Sequence, residues 1–160
     1  MNDNKVNAKE LAAAIALPLA VGGLSALLTK NGMEAFASLR QPPLSPPGWV
    51  FPVVWTVLYA MMGTASYKVY ASDAHDIRRR RALTVYGVQL AVNFLWTVVF
   101  FALGAHLSAF WLIVLLWLLI VVCMLMFYHI SQKAGRLMIP YVLWVSFAAY
   151  LNLGVYLLNR

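Results

Sequence analysis

LSAFWLIVLLWLLIVVCMLMFY, residues Leu107 to Tyr128, carries no charged side chain. Because a helix rises about 1.5 Å per residue, a run of this length covers roughly 30 Å, the hydrocarbon thickness of a bilayer. Apolar residues occupy every face of the run, so a soluble protein would have to bury it completely. Four further apolar runs accompany it: Leu11–Leu28, Trp49–Tyr70, Ala82–Leu103 and Leu137–Leu158. A chain of 160 residues has too little interior to hide five such helices, and lipid is the solvent that fits. The sequence predicts an all-α membrane protein, a bundle of five transmembrane helices forming a single domain over residues 1–160.

Composition points the same way. Hydrophobic residues make up 63% of the chain and charged residues 11%, against roughly half and a quarter in a soluble domain. The net charge of +7 is spread between the apolar runs rather than along one face, as juxtamembrane anchors are. No aromatic–basic interleaving or docking motif accompanies it, so no nucleic-acid partner is expected. The single cysteine, Cys123, lies inside an apolar run and reads as a small buried hydrophobe. The first run is interrupted by Pro18, Gly22 and Gly23, which membrane helices tolerate, and it lacks a small-residue cleavage site. It is read as a retained helix.

The connections differ in character. Thr29 to Gly48 contains Pro42, Pro43, Pro46 and Pro47, and the whole stretch is expected to be extended or turned, packing as a lid over one end of the bundle. The second connection ends in Arg78–Arg81; the third, around Gly104–His106, is short enough to make its two helices antiparallel neighbours. The fourth, Ile130 to Arg136, carries Lys133 and Arg136. With five spans, Lys5, Lys9, Lys68, Arg78–Arg81, Lys133 and Arg136 share one side, while Lys30, Arg40 and Arg160 share the other. Basic residues stay on the cytoplasmic side, so the N-terminus and the Arg78–Arg81 loop are expected inside and the C-terminus outside.

The spans are poor in charge. No Asp or Glu occurs from Ile77 to Arg160 or within Trp49–Tyr70, which argues against a carboxylate-based pump, cation channel or acid–base hydrolase. His75, His106 and His129 are scattered, with no ligand spacing among them, and no metal site is expected. Aromatic surface with sparse amides is what remains. Trp55, Tyr59 and Met62 share one face of the second span, Gln89, Asn93 and Trp96 one face of the third, and Trp144, Ala148, Asn152 and Tyr156 one face of the fifth. Such stripes either pack helices together or line a pocket for a flat apolar ligand with a few polar edges. Trp49, Trp111 and Trp117 are read as lipid-facing or interfacial.

Three of these segments carry a resemblance. Trp49-Val50-Phe51-Pro52-Val53-Val54-Trp55-Thr56-Val57-Leu58-Tyr59, preceded by Pro46-Pro47, resembles the second-helix signature of the TspO/MBR family, the tryptophan-rich sensory or translocator proteins. Gln89-Leu90-Ala91-Val92-Asn93-Phe94-Leu95-Trp96 is similar to its third-helix motif, and Pro140-Tyr141-Val142-Leu143-Trp144-Val145-Ser146-Phe147-Ala148-Ala149-Tyr150-Leu151-Asn152 to its fifth. The chain departs from the pattern where the family often has a Trp-Tyr pair, here Ala35-Phe36, and a Trp between the prolines, here Leu44.

The resemblance implies a five-helix bundle, commonly a homodimer, with a ligand cavity under the first loop. It implies binding of porphyrins such as protoporphyrin IX, of cholesterol-like sterols or of other flat hydrophobes, with no required cofactor. The ligand-binding residues expected on this basis are Trp55, Tyr59, Gln89, Asn93, Trp96, Tyr141, Trp144, Ala148 and Asn152. For some bacterial members it implies light- and oxygen-dependent degradation of porphyrin, tied to tryptophans matching Trp55 and Trp144; transport of such ligands is a third reading. A sterol motif at the end of the fifth helix has its counterpart in Leu153, Tyr156 and Arg160. The family's dimer-linked glycine spacing is altered, with Gly87 and Ala91, or Ala12, Ala16 and Ala20, as alternative small-residue stripes.

Overall fold

The computed structural model describes residues 6–160; Lys5, counted above with the basic residues of one side, lies outside them. Along the chain run α1 (Ala8–Leu28), α2 (Lys30–Ala37), α3 (Val50–Tyr70), α4 (Asp76–Thr97), α5 (His106–Ile130), α6 (Gln132–Leu137) and α7 (Ile139–Asn159). A π-helical turn, Val98–Ala102, continues α4. Five helical stretches of 21 to 28 residues are long and apolar enough to cross a bilayer: α1, α3, α4 with its π turn, α5, and α6 running into α7. The bundle is therefore that of an integral, multi-pass membrane protein.

Local chemistry sets the helix ends. Asn7 Oδ1 accepts from the backbone N–H groups of Lys9 and Glu10, satisfying two donors that the first turn of α1 leaves open. His75 Nδ1 accepts from Ile77 N at 3.4 Å, and Asp76 pairs with Arg79, so α4 starts six residues before the apolar run does. Arg78–Arg81 accordingly stand on the first turns of a helix rather than in the loop expected. Ser131 Oγ, accepting from Ala134 N, caps α6, so the fourth connection is helical as well.

The first connection also departs from expectation. Its prolines begin only at Pro42, and their backbone restraint reaches one residue upstream. Lys30–Ala37 is free of them and forms α2, whose half-buried Phe36 packs its ring 5.5 Å from Phe100 and 5.4 Å from Phe101. The part after Ala37 is turned, as the prolines require, and Leu44 there takes φ 69° while its side chain stays exposed.

Two kinds of contact hold the assembly. In the core, Met62, Val69, Ile113, Ile120, Phe127, Val145 and Val155 are completely buried, and a Cβ on Gly63 would lie 2.6 Å from Ala14 O, so α1 and α3 touch backbone to backbone. At the α2 end, the first connection is fastened to α7. Arg40 N donates to Asn159 Oδ1 and Asn159 Nδ2 donates to Arg40 O, both at 2.9 Å, and Tyr150 Oη donates to Pro43 O at 2.9 Å. Outward, Leu17, Leu27, Trp111, Leu118 and Leu143 are exposed, as lipid-facing side chains are.

Candidate functional site

The stripes of the second, third and fifth spans converge. Trp55 stands in the middle of the aromatic cluster, its ring centroid 5.5 Å from Tyr59, 6.1 Å from Trp96 and 6.1 Å from Tyr141. Beside it a cavity of about 250 Å³ opens between α1, α3 and α4, with Met33 of α2 and Ala148 of α7 completing the wall. Trp55, Tyr59, Trp96 and Ala148 all line it.

Gln89, Asn93, Tyr141 and Asn152, also expected at the site, form a buried layer behind that wall. Tyr59 Oη donates to Asn93 Oδ1 at 2.9 Å, Asn93 Nδ2 donates to Tyr141 Oη at 2.9 Å, and Tyr141 Oη donates to Gln89 Oε1 at 2.8 Å. Trp96 Nε1 donates to Asn152 Oδ1 at 3.1 Å, and Asn152 Nδ2 to His106 O at 2.8 Å. These amides hold α3, α4, α5 and α7 in register and fix the orientation of two wall rings. They act on the cavity through Tyr59 and Trp96 rather than by lining it.

Trp144 is elsewhere. It lines a separate apolar groove of about 460 Å³ between α3 and α7, with Val53, Val57, Leu143 and Phe147. The ring of Phe51, which faces the cavity, stands 6.0 Å from the Trp144 ring. The expectation that Trp55, Trp144 and Ala148 share one pocket is thus corrected. Residues four apart are turned about 40° from one another, and a long helical side chain leans toward the helix N-terminus. With Ala148 on the cavity, the Trp144 indole is carried away from it, toward Pro140.

The other sequence assignments fall as follows. Tyr156 and Arg160 edge a depression of about 290 Å³ beside Gly104–Ser108, which Leu153 does not line. Trp49 and Trp111 are exposed, whereas Trp117 donates its Nε1 hydrogen to Ser146 Oγ at 2.8 Å and so ties α5 to α7. Sequence reasoning missed the α1 wall of the cavity, formed by Leu19, Gly22, Gly23, Ser25, Ala26 and Thr29. A Cβ on Gly22 would lie 2.2 Å from the Tyr59 ring, so glycine there lets the phenol lie against α1. Pro18, Gly22 and Gly23 look like interruptions in the sequence; the two glycines are where the wall thins.

The wall is chemically quiet. Ser25, Thr29, Thr56 and Thr97 each donate to a carbonyl of their own helix, and Tyr59 and Trp96 are bonded to the amide layer. Among the described residues lining the cavity, the Trp55 indole N–H is the one side-chain N–H or O–H without a partner. The site can therefore stack an apolar, flat molecule and offer it a hydrogen-bond donor.

A sequence profile of the TspO/MBR family matches residues 14–158. The chain is 40% identical to the tryptophan-rich protein TspO of Chlorobaculum tepidum over 93% of its length and 95% of that protein. The chain belongs to the TspO/MBR family. Other TspO/MBR relatives include the tryptophan-rich sensory protein of Cereibacter sphaeroides, 36% identical over 79% of this chain and 77% of that one. The translocator protein of Bos taurus is 32% identical over 85% of this chain and 82% of its own. The convergent aromatic stripes of the second, third and fifth spans supply the aromatic part of the cavity wall and the amide layer behind it, while α1 and Met33 of α2 supply the rest of the wall.

Proposed function

We propose that this protein binds a tetrapyrrole such as protoporphyrin IX, or a comparably flat hydrophobe such as a sterol, in the cavity beside Trp55. The observation that carries the reading is the wall itself: Trp55, Tyr59, Trp96, Phe51 and Phe101 around an apolar space whose free side-chain donor is the Trp55 N–H. Aromatic rings stack on a macrocycle, and an indole N–H orients an acceptor on its edge. The protein acts in this reading as a membrane binding protein or sensor for the ligand, with no cofactor of its own. The ordering of basic residues supports a cytoplasmic Arg78–Arg81 segment. A homodimer is the expected assembly, and both small-residue stripes, Gly87 with Ala91 and Ala12 with Ala16 and Ala20, are exposed on the bundle's outer surface.

Light-dependent degradation of the porphyrin is the second reading, with Trp55 as the oxidisable group against the ligand and Trp144 beyond Phe51. Proton-coupled transport finds no carboxylate in the second span or after Asp76 to run on. Titration of the purified protein with protoporphyrin IX, read by tryptophan fluorescence, tests binding: quenching should saturate at one ligand per chain. Quenching that stays linear in ligand would reduce the interaction to partition into lipid and sink the reading. Illumination of the saturated complex separates binder from degrader by whether the porphyrin absorbance decays into a new product.

A further inference from the structure

The cavity beside Trp55 has two sides from which a ligand could arrive, and the structure treats them differently. At the α2 end the chain is closed. A Cβ on Gly32 would lie 1.8 Å from Phe101 O and one on Gly154 2.5 Å from Pro42 Cβ, so α2 and the proline segment press directly on the bundle. The paired bonds between Arg40 and Asn159 and the bond from Tyr150 to Pro43 O fasten that cover further.

The flank between α1 and α3 is open. Of the cavity-lining residues there, Gly23 and Ala26 on α1 and Pro52 and Thr56 on α3 are exposed, and all four are small. A Cβ built on Gly23 meets nothing within 4 Å, so the space beside that residue is open. What surrounds the gap identifies the solvent outside it. Leu24 and Leu27, beside Gly23 and Ala26 on α1, are 52% and 76% exposed, side chains that belong in hydrocarbon rather than water. The hydroxyls nearby are silent, since Thr56 Oγ1 donates to Pro52 O at 2.7 Å and Ser25 Oγ to Gly22 O at 2.8 Å. A mouth facing lipid must have its polar groups satisfied internally, and this one does.

The lower half of α1 is clamped, by the backbone contact at Gly63 and by the bond from Asn7 N to Tyr67 Oη at 2.9 Å. Pro18, which can donate no rung to the helix ladder, divides that half from the segment carrying the mouth.

We propose that the ligand reaches the cavity sideways, out of the bilayer hydrocarbon, through the gap between α1 and α3, and that Gly23 sets the width of this mouth. The proposal rests on the reading of the cavity as a binding site. It makes the accepted ligand one that has already partitioned into the membrane, and it makes Gly23 a position that governs the rates of entry and exit.

The test is stopped-flow tryptophan quenching by protoporphyrin IX, with the full chain in lipid nanodiscs. Parent, Gly23→Leu and Asn159→Ala proteins are compared. Gly23→Leu should slow association at least about tenfold and slow dissociation as well, because a narrowed mouth raises the barrier in both directions, whereas a side chain that only takes space from the bound ligand would speed dissociation. Asn159→Ala, which loosens the cover at the α2 end, should leave both rates as they are in the parent. Ala26→Phe on the same rim should repeat the slowing, and it replaces Gly23→Leu should that variant unfold. Unchanged rates in both rim variants, or faster association in Asn159→Ala, would overturn the lateral route while leaving the site intact. So would a raised dissociation rate with unchanged association in Gly23→Leu, since the new side chain would then occupy the site instead of its mouth. Absence of saturable quenching in the parent would remove the binding site and the route together.

Discussion

The phenol of Tyr59, in the cavity wall, donates its hydrogen to Asn93 Oδ1, which is completely buried in the neighbouring helix. The same amide donates to Tyr141, so one side chain on α4 serves partners on α3 and α7. Tyr59→Phe should leave Asn93 Oδ1 without a partner in an apolar interior, costing about 1 kcal/mol, while Asn93→Leu strands the Tyr59 hydroxyl and takes one donor from Tyr141, which keeps its bond to Gln89, and should cost about 1–3 kcal/mol. Thermal unfolding of the purified variants measures this. In a double-mutant cycle the Tyr59→Phe and Asn93→Leu effects should be less than additive, by about 0.5 kcal/mol or more; full additivity would mean the bond carries no coupling.

Glycines at two places make opposite forecasts for the same substitution. Gly32→Ala would drive a methyl into Phe101 O, and since that atom is backbone, α2 must shift off the π turn. A loss of about 1–3 kcal/mol is expected, outweighing the gain in helix propensity. Gly23→Ala meets open space and should be neutral or stabilising by up to about 1 kcal/mol. Melting both proteins side by side checks the pair, and equal shifts would contradict the packing described.

Much of this architecture was legible from residues alone because lipid imposes few alternatives. Five apolar runs of bilayer length, free of carboxylates, mean five helices, and amides such as Asn93 and Asn152 within them must face the interior. What periodicity could not reveal was depth. Gln89, Asn93 and Trp96 lie on one helical face, yet Trp96 reaches the cavity while the two amides are consumed by Tyr59 and Tyr141 one layer back. Trp144 was misplaced because its neighbour Ala148 does line the cavity, and a rotation of about 40° is enough to turn the indole to the α3–α7 groove. The α2 helix was hidden by the prolines that follow it. The α1 wall was hidden because glycine signals a weak helix and a close approach equally well.

The orientation expected from the basic residues can be read chemically. Cys123 is fully buried, so the parent chain offers a silent background for thiol labelling. Ser45→Cys, in the proline segment, should react with an impermeant maleimide in intact cells, whereas Asp76→Cys, at the start of α4, should react only after lysis. The opposite pattern would invert the bundle.

Ala148 gives the most direct test of where the ligand sits. Its methyl lies in the cavity wall, it is 6% exposed, and the four-residue spacing that puts Trp144 beside it on α7 does not bring that indole to the same space. Ala148→Phe should therefore fill the cavity and weaken protoporphyrin binding at least about tenfold, or roughly 1.4 kcal/mol, without changing the helix content. Trp55→Ala removes the stacking surface and the free N–H together and should weaken binding by a similar factor. Trp144→Ala, on the far side of Phe51, should change affinity by less than about threefold, under 1 kcal/mol. Measured by the same fluorescence titration, a Trp144→Ala loss equal to that of Trp55→Ala would mean the ligand displaces Phe51 and spans both the cavity and the α3–α7 groove. A folded Ala148→Phe protein that binds as the parent does would place the ligand outside this cavity altogether.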